Sequence, residues 1–205
     1  MVHGRKGFTL IELLVVIAGV IFIAFSVASA ATQELICSFD TPDGWTLSLG
    51  KSLSEKGVEV NSDKRFVTEG DKSLHVVGSV KAEKGNQYLG YKLKVQPFDL
   101  RGKALFIDAT TSTPTVANAF YLRLYDGEGK LVASWNSWGD LLKDRMQTFR
   151  FIPGESKKDM SWEQDKVKSD KLDQVTTVEL IIGTRAKNVT FDAYFDNLRT
   201  AESNR

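Results

Sequence analysis

The chain has 205 residues, with 27 basic and 26 acidic side chains and a formal net charge of +1. That balance excludes the overall basic field by which proteins select nucleic acid or strongly anionic membranes, so no nucleic-acid partner is expected. The single cysteine, Cys37, excludes an intramolecular disulfide, and an exported form must be held by packing or by a metal. In chain order, the first predicted element is an apolar helix from about Thr9 to Gln33. No charge interrupts Leu13 to Ala31. Counted with Phe8–Ile11, the segment is about 20–24 residues and about 30–36 Å long, enough for one membrane crossing. Arg5 and Lys6 precede it and place the following bulk outside the cytoplasm. Glu12 stands inside the apolar run, where a carboxylate costs roughly 2.5–3.5 kcal/mol, so it requires a partner.

The residues Gly4-Arg5-Lys6-Gly7-Phe8-Thr9-Leu10-Ile11-Glu12-Leu13 resemble the cleavage and methylation signal of type IV pilins and type II secretion pseudopilins. The resemblance implies a leader over residues 1–7, with Gly7 the last residue removed by a prepilin peptidase. Phe8 would become the N-methylated terminus. Glu12 would pair with the terminal amine of a neighbouring pilin-like subunit, which makes a buried carboxylate tolerable in the assembly. Residues 8–33 would be a pilin-type helix crossing the inner membrane once, with the C-terminal domain periplasmic or extracellular. An ordinary secretory signal is the alternative, with Ala28-Ser29-Ala30 as its cleavage site, but it leaves Glu12 and the Gly7-Phe8 order without a purpose. A lipoprotein anchor at Cys37 fails because Leu35-Ile36 lacks the small residue such a site needs. The sequence departs from the pilin pattern in one respect. The family's helix runs on as an amphipathic half that packs under the head, whereas here strand-like sequence begins by about Leu35.

Residues 34–200 read as strands, with 201–205 as a tail. The expected strands are Leu35–Asp40, Trp45–Leu49, Val58–Val60, Arg65–Thr68, Ser73–Val80, Gln87–Val95, Ala104–Thr110, Ala119–Tyr125, Leu131–Trp135, Met146–Phe151, Thr177–Gly183 and Val189–Leu198. Phe120, Leu122 and Leu124 alternate with Tyr121, Arg123 and Tyr125, the period of a half-buried strand. Turn signals such as Pro42-Asp43-Gly44 and Asp126-Gly127-Glu128-Gly129 separate the segments. Many short strands so punctuated predict an all-β sandwich. Asp159–Asp173 is charged and poor in apolar residues, and is expected as a loop or a short surface helix.

Three pieces in order carry a second resemblance: Ser38-Phe39-Asp40 before Asp43-Gly44-Trp45, then Gly70-Asp71-Lys72-Ser73-Leu74, and finally Phe191 to Leu198 with Asp196-Asn197-Leu198 at its end. Together they resemble the jelly-roll sandwiches of carbohydrate-binding modules and galactose-binding-like domains. The implied architecture is an all-β jelly-roll ectodomain preceded by a single transmembrane α-helix. The resemblance also implies a structural Ca²⁺ held by Asp40, by Asp71 through its side chain or Lys72 through its carbonyl, and by Asp196. Hard oxygen donors from separate strands suit that ion. The plainer reading makes Asp40 and Asp71 turn residues and Asp196 a strand end.

For a carbohydrate ligand, aromatic faces flanked by polar groups are needed, and the candidates are Tyr121, Arg123, Tyr125, Trp135, Trp138 and Arg150. Trp45 is assigned to the core. Catalysis has little support. His75 is the only histidine after His3, no nucleophile–histidine–carboxylate set appears, and no spacing singles out a pair such as Asp108 with Asp192. The expectation is a non-enzymatic, membrane-tethered pilin- or pseudopilin-like protein, as a filament or secretion-system subunit. The alternatives are an anchored carbohydrate-binding module and, after it, a jelly-roll glycan hydrolase.

Overall fold

The structure, a computed structural model, describes residues 33–81, 86–117, 119–138, 141, 145–154 and 171–203. The expected leader and apolar helix, with Gly7, Phe8 and Glu12, lie outside those residues, as does most of the expected loop over 159–173. Among the described residues no helix is long and apolar enough to cross a membrane. Gln33 onward forms a compact unit of its own.

The described chain alternates between two antiparallel sheets, and its eleven strands are β1 (Glu34–Cys37), β2 (Thr46–Leu49), β3 (Glu55–Asn61), β4 (Ser73–Val80), β5 (Gln87–Phe98), β6 (Lys103–Thr110), β7 (Ala119–Tyr125), β8 (Leu131–Trp138), β9 (Gln147–Phe151), β10 (Val175–Thr184) and β11 (Val189–Glu202). One sheet runs β3-β4-β11-β6-β9, and β1 also pairs with β11; the other runs β2-β5-β10-β7-β8. At fourteen residues, β11 is long enough to serve two partners on one side. Its first half pairs with β4 from Val189↔Val80 to Phe195↔Leu74, and its second half with β1 at Glu34↔Thr200.

The period-2 pattern assigns the core. Phe191, Ala193 and Phe195 of β11, with Leu105 and Ile107 of β6, meet Phe120, Leu122, Leu180 and Trp135 of the opposing sheet. Phe120 is the centre of an aromatic cluster, with ring centroids 5.2 Å from Phe195 and 5.4 Å from Phe149. Trp45 joins this core as expected, stacked on Phe39 at 5.8 Å. The half-buried Cys37 packs at its margin, and burial pushes its thiol pKa up. The expected tail is shorter than residues 201–205, because Ala201 and Glu202 continue β11 opposite Ala104 and Lys103.

One expected strand is absent. Lys64–Phe66 is a 3-10 turn, capped by the Asp63 side chain accepting from the Arg65 N–H. The N–H groups beyond it go to a carboxylate rather than to a neighbouring strand. Asp196 Oδ2 accepts from the Thr68 N–H at 2.6 Å and the Glu69 N–H at 2.9 Å. The Arg65–Thr68 pattern was therefore β-like in composition but has no ladder to join.

Asp196 is one of three outward side chains on β11 that together fix two connecting segments, the one between β3 and β4 and the one after β6. Asp192 accepts from the Thr111 hydroxyl at 2.9 Å, the Ser112 hydroxyl at 2.6 Å and the Ser112 N–H at 3.0 Å. Tyr194 is stacked between Phe66, at 4.0 Å, and His75, at 4.3 Å. His75 in turn places Nδ1 2.9 Å from Glu59 and Nε2 3.4 Å from Asp192.

This cluster makes stability depend on pH from both sides. Burial would raise the pKa of Asp192, but hydrogen bonds from His75, Ser112 and Thr111 outweigh it and hold the carboxyl at about 2. Its contribution, about 2 kcal/mol, is complete above about pH 4 and is lost as pH falls towards 2. Burial likewise opposes charging of His75, yet the Asp192 and Glu59 carboxylates prevail and raise its pKa. That contribution is complete below about pH 6.5 and is lost as pH rises through the raised value. Thermal melts should therefore show greatest stability between about pH 4 and 6.5. His75→Gln should lower the midpoint at pH 6 and flatten the decline towards pH 9. A decline unchanged in that variant removes His75 as its cause.

Candidate functional site

The strand register lays out the outward face of the five-stranded sheet in rows. One row reads Thr46, Lys92, Glu179, Arg123 and Ser134 from β2 to β8. The next carries Gly90, Ile181, Tyr121 and Asn136, and a third carries Tyr88, Gly183, Ala119 and Trp138. On the other side of the charged row, Lys94, Thr177 and Tyr125 align.

The second and third of these rows form an apolar floor. Tyr121, Ala119 and Ile181 are buried together, with Leu49 and Tyr88 packed against them. Tyr88 meets Tyr121 edge to face at 5.8 Å. Its ring lies directly on Gly183, where a Cβ would approach it to 2.8 Å, so only glycine permits this packing. Asn136, in register with Tyr121, is buried, and its Oδ1 has no hydrogen-bond partner among the described residues. Such an acceptor is costly unless something donates to it.

The charged row is a connected network. The buried Glu179 carboxylate accepts from the Tyr125 hydroxyl and lies 3.7 Å from the Arg123 guanidinium. Burial, followed by the Glu179 carboxylate, pushes the Tyr125 pKa well above the ordinary phenol value. Lys92 holds its ammonium 3.7 Å from the centroid of the Tyr125 ring. Beside this pair runs a groove of ≈ 380 Å³, lined by Thr46, Lys92, Lys94, Tyr125 and Thr177 together with Leu93 and two glycines. One of these is Gly44, whose φ of +81° and contact with Leu93 both disfavour a side chain.

The expected ligand residues are distributed unevenly over this geometry. Tyr121, Arg123 and Tyr125 share the outward face of β7, as their alternation implied. Tyr121, however, is only 3% exposed and belongs to the apolar floor. Trp135 is 1% exposed and faces inward, opposite Leu122 and against Phe151 at 5.3 Å, so it is a core residue. The alternation of β8 requires this, since Ser134 and Asn136 take the outward phase. Trp138 stands in register with Ala119 on that phase, and its side chain lies outside the described residues. Arg150 is exposed but belongs to β9 of the other sheet, opposite Phe106, and does not meet the rest. The residues missed were Lys92, Lys94, Glu179 and Thr177. Their only signal was alternation within β5 and β10, and the sequence does not reveal that these strands flank β7.

The residues implied for calcium divide as well. Asp40 lies beside the Gly70 backbone, and Asp196 holds Thr68 and Glu69, so both acids flank the loop before β4. Asp71 instead pairs with Lys64 at 2.9 Å and is almost fully exposed, as is usual for a turn acid. Lys72 is exposed at the end of the same loop. Burial raises the Asp196 pKa, only partly offset by the Thr68 and Glu69 N–H groups. Among the described residues no cluster of three or more histidine, cysteine or acidic side chains is grouped to hold a metal. An ion here would therefore need the loop's carbonyl oxygens to complete six to eight ligands.

The carboxylates considered for catalysis lie on the six-stranded sheet. Asp108 accepts from the Thr68 hydroxyl at 2.7 Å and lies 3.3 Å from Arg199, while Asp192 is enclosed by Thr111, Ser112 and His75. Both are buried and committed to protein donors.

Residues 3–18 match the prokaryotic N-terminal methylation motif, which covers Gly7, Phe8 and Glu12. No protein of curated function matches the chain by sequence. In fold, the chain is similar to the family 11 carbohydrate-binding module from Clostridium thermocellum, solved with a β-1,3-1,4-mixed-linked tetrasaccharide. The TM-score is 0.57 at 13% identity, over 85% of this chain and 98% of that one. It is also similar to CBM27-1 from Caldicellulosiruptor saccharolyticus, solved with mannohexaose, with a TM-score of 0.53 at 14% identity over 86% of this chain and 100% of the other. An exo-β-agarase matches with a TM-score of 0.56 and 15% identity over 84% of this chain, which spans only 25% of that enzyme. The chain thus joins a prepilin-type methylation signal to a β-sandwich with the jelly-roll fold of carbohydrate-binding modules.

Proposed function

We propose that this protein is processed by a prepilin peptidase, is anchored in the cytoplasmic membrane by its apolar N-terminal segment, and displays a carbohydrate-binding sandwich outside it. The observation that carries the reading is the union in one chain of the methylation motif at residues 3–18 with an outward sheet face on which Tyr125, Lys92 and Lys94 line a groove. Pyranose rings present C–H faces to aromatic rings and hydroxyls to polar side chains, and this face offers both. The protein is not assigned a hydrolytic role, since Asp108 and Asp192 are each enclosed by protein donors.

Assembly with other pilin-like subunits is the second reading, favoured by Glu12 within the matched motif. Against the usual head packing, the sandwich begins directly in strand at Glu34, with no amphipathic helical half after residue 33. A calcium ion belongs to the proposal only at the loop before β4, where Asp40 and Asp196 would hold it with backbone carbonyls and Asp71 would take no part.

Mass spectrometry of the mature protein should find N-methylated Phe8 as its first residue, and loss of the prepilin peptidase should leave Met1–Gly7 attached. A terminus at Ala31 would select the secretory-signal reading instead. On a glycan array the full-length protein in non-ionic detergent should retain at least one carbohydrate class, and Tyr125→Ala should weaken that binding about tenfold or more, or about 1.4 kcal/mol. Binding unaffected by this variant moves the site off the five-stranded sheet. Adding a chelator should lower the melting temperature if calcium is held, and an unchanged melt with no calcium by elemental analysis removes the ion.

A further inference from the structure

The groove beside Tyr125 has an unusual charge inventory for a surface on a chain whose charges balance. Lys92 and Lys94 occupy alternate positions of β5, so both point outward, about 7 Å apart along the strand. Neither makes an ion pair among the described residues. Lys92 instead rests on the Tyr125 ring, and Lys94 is exposed. No carboxylate lines the groove among those residues. Asp43, the exposed neighbour of Gly44, is not among the residues that line the groove, and three other acids nearby are engaged. Glu179 is buried beneath Tyr125 and Arg123, Glu128 pairs with Lys130 at 2.6 Å, and Asp126 accepts the N–H groups of its own turn. The remaining polar groups facing the groove are the hydroxyl-bearing residues Thr46 and Thr177, each in register with one of the two lysines. Two ammonium groups without ion pairs beside an aromatic ring, with no carboxylate in the lining, form a site that favours an anion on a ring-shaped ligand.

We propose that the ligand of this groove is an anionic polysaccharide, one whose sugars carry carboxylate or sulfate groups. Lys92 and Lys94 pair with the anions, Tyr125 packs against the sugar ring, and Thr46 and Thr177 take hydroxyls. The inference rests on the carbohydrate-binding reading and narrows it to a charge class. A neutral glucan or mannan would leave both ammonium groups without a counter-charge, whereas a charged polymer supplies one at each.

The test uses the full-length protein in non-ionic detergent and polymers matched in backbone. Polygalacturonate is set against its methyl-esterified form, and a sulfated galactan against agarose, with inorganic polyphosphate as a polyanion that has no sugar ring. The charged member of at least one pair should bind ten times more tightly or better than its uncharged partner, and the pair that responds identifies carboxylate or sulfate. The affinity should fall with salt, as expected for exposed cations. The double variant Lys92→Gln/Lys94→Gln, with an unchanged melting temperature, should abolish that preference, whereas Lys130→Gln outside the groove should not. Equal binding within both pairs overturns the inference and leaves the carbohydrate reading standing. Equally tight binding of polyphosphate, or a preference that survives the double variant, overturns it as general polyanion attraction. Retention of no carbohydrate on any array removes both.

Discussion

The pairing of β11 with three other strands is the constraint on which the rest of the sandwich depends. It lies between β4 and β6, and its second half also holds β1, so one strand supplies the ladder for half of the six-stranded sheet. Its inward side chains, Phe191, Ala193, Phe195 and Leu198, reach the main core. Its outward ones hold two loops against the sheet, Asp192 the one after β6 and Tyr194 with Asp196 the one between β3 and β4. A bulge between Asp196 and Arg199, with Asn197 at φ 53°, shifts the phase so that Leu198 still faces the core. Removing β11 would leave β1, β4 and β6 without a common partner.

The outward acids illustrate how a buried carboxylate becomes a structural part rather than a liability. Asp108 and Asp196 stand directly opposite each other on neighbouring strands, a like-charged pair that would ordinarily destabilise the sheet. Each is given its own donors. Asp108 takes the hydroxyls of Thr68 and Thr148 and the Arg199 guanidinium, and Asp196 takes backbone N–H groups. The Thr68 side chain bridges the two. The five-stranded sheet solves a similar problem at Glu179 with Arg123 and Tyr125. In both sheets the acid's donors come from elements far away in sequence, so they also fix how those elements meet.

Much of this was legible in the sequence because alternation is a local property. Phe120, Leu122 and Leu124 against Tyr121, Arg123 and Tyr125 mark the two faces of β7 correctly. What failed was anything needing neighbours. Residue type alone makes Trp135 a sugar-stacking candidate, yet the phase of β8 sends it inward. Arg150 was grouped with Tyr121 although the two stand on different sheets. Lys92 and Lys94 look like ordinary solvated charges until β10 brings β7 alongside. Arg65–Thr68 has strand-like composition, but its N–H groups are taken by a carboxylate 128 residues further along the chain.

The place of β11 in the order of synthesis has a consequence for export. Of the eleven described strands it is the last to leave the ribosome, yet it is central to its sheet, and β1, the first, pairs with no other among them. Until it arrives, β4, β6 and β1 lack their shared neighbour, and long-range pairing of this kind forms slowly. In the export proposed above, a chain threaded across a membrane would lack its completed six-stranded sheet until this strand arrives. Closure of the sheet would follow only when residues 189–202 have passed through. Late completion of the six-stranded sheet makes this topology compatible with translocation, because the knot of contacts that locks the domain is tied by its final strand.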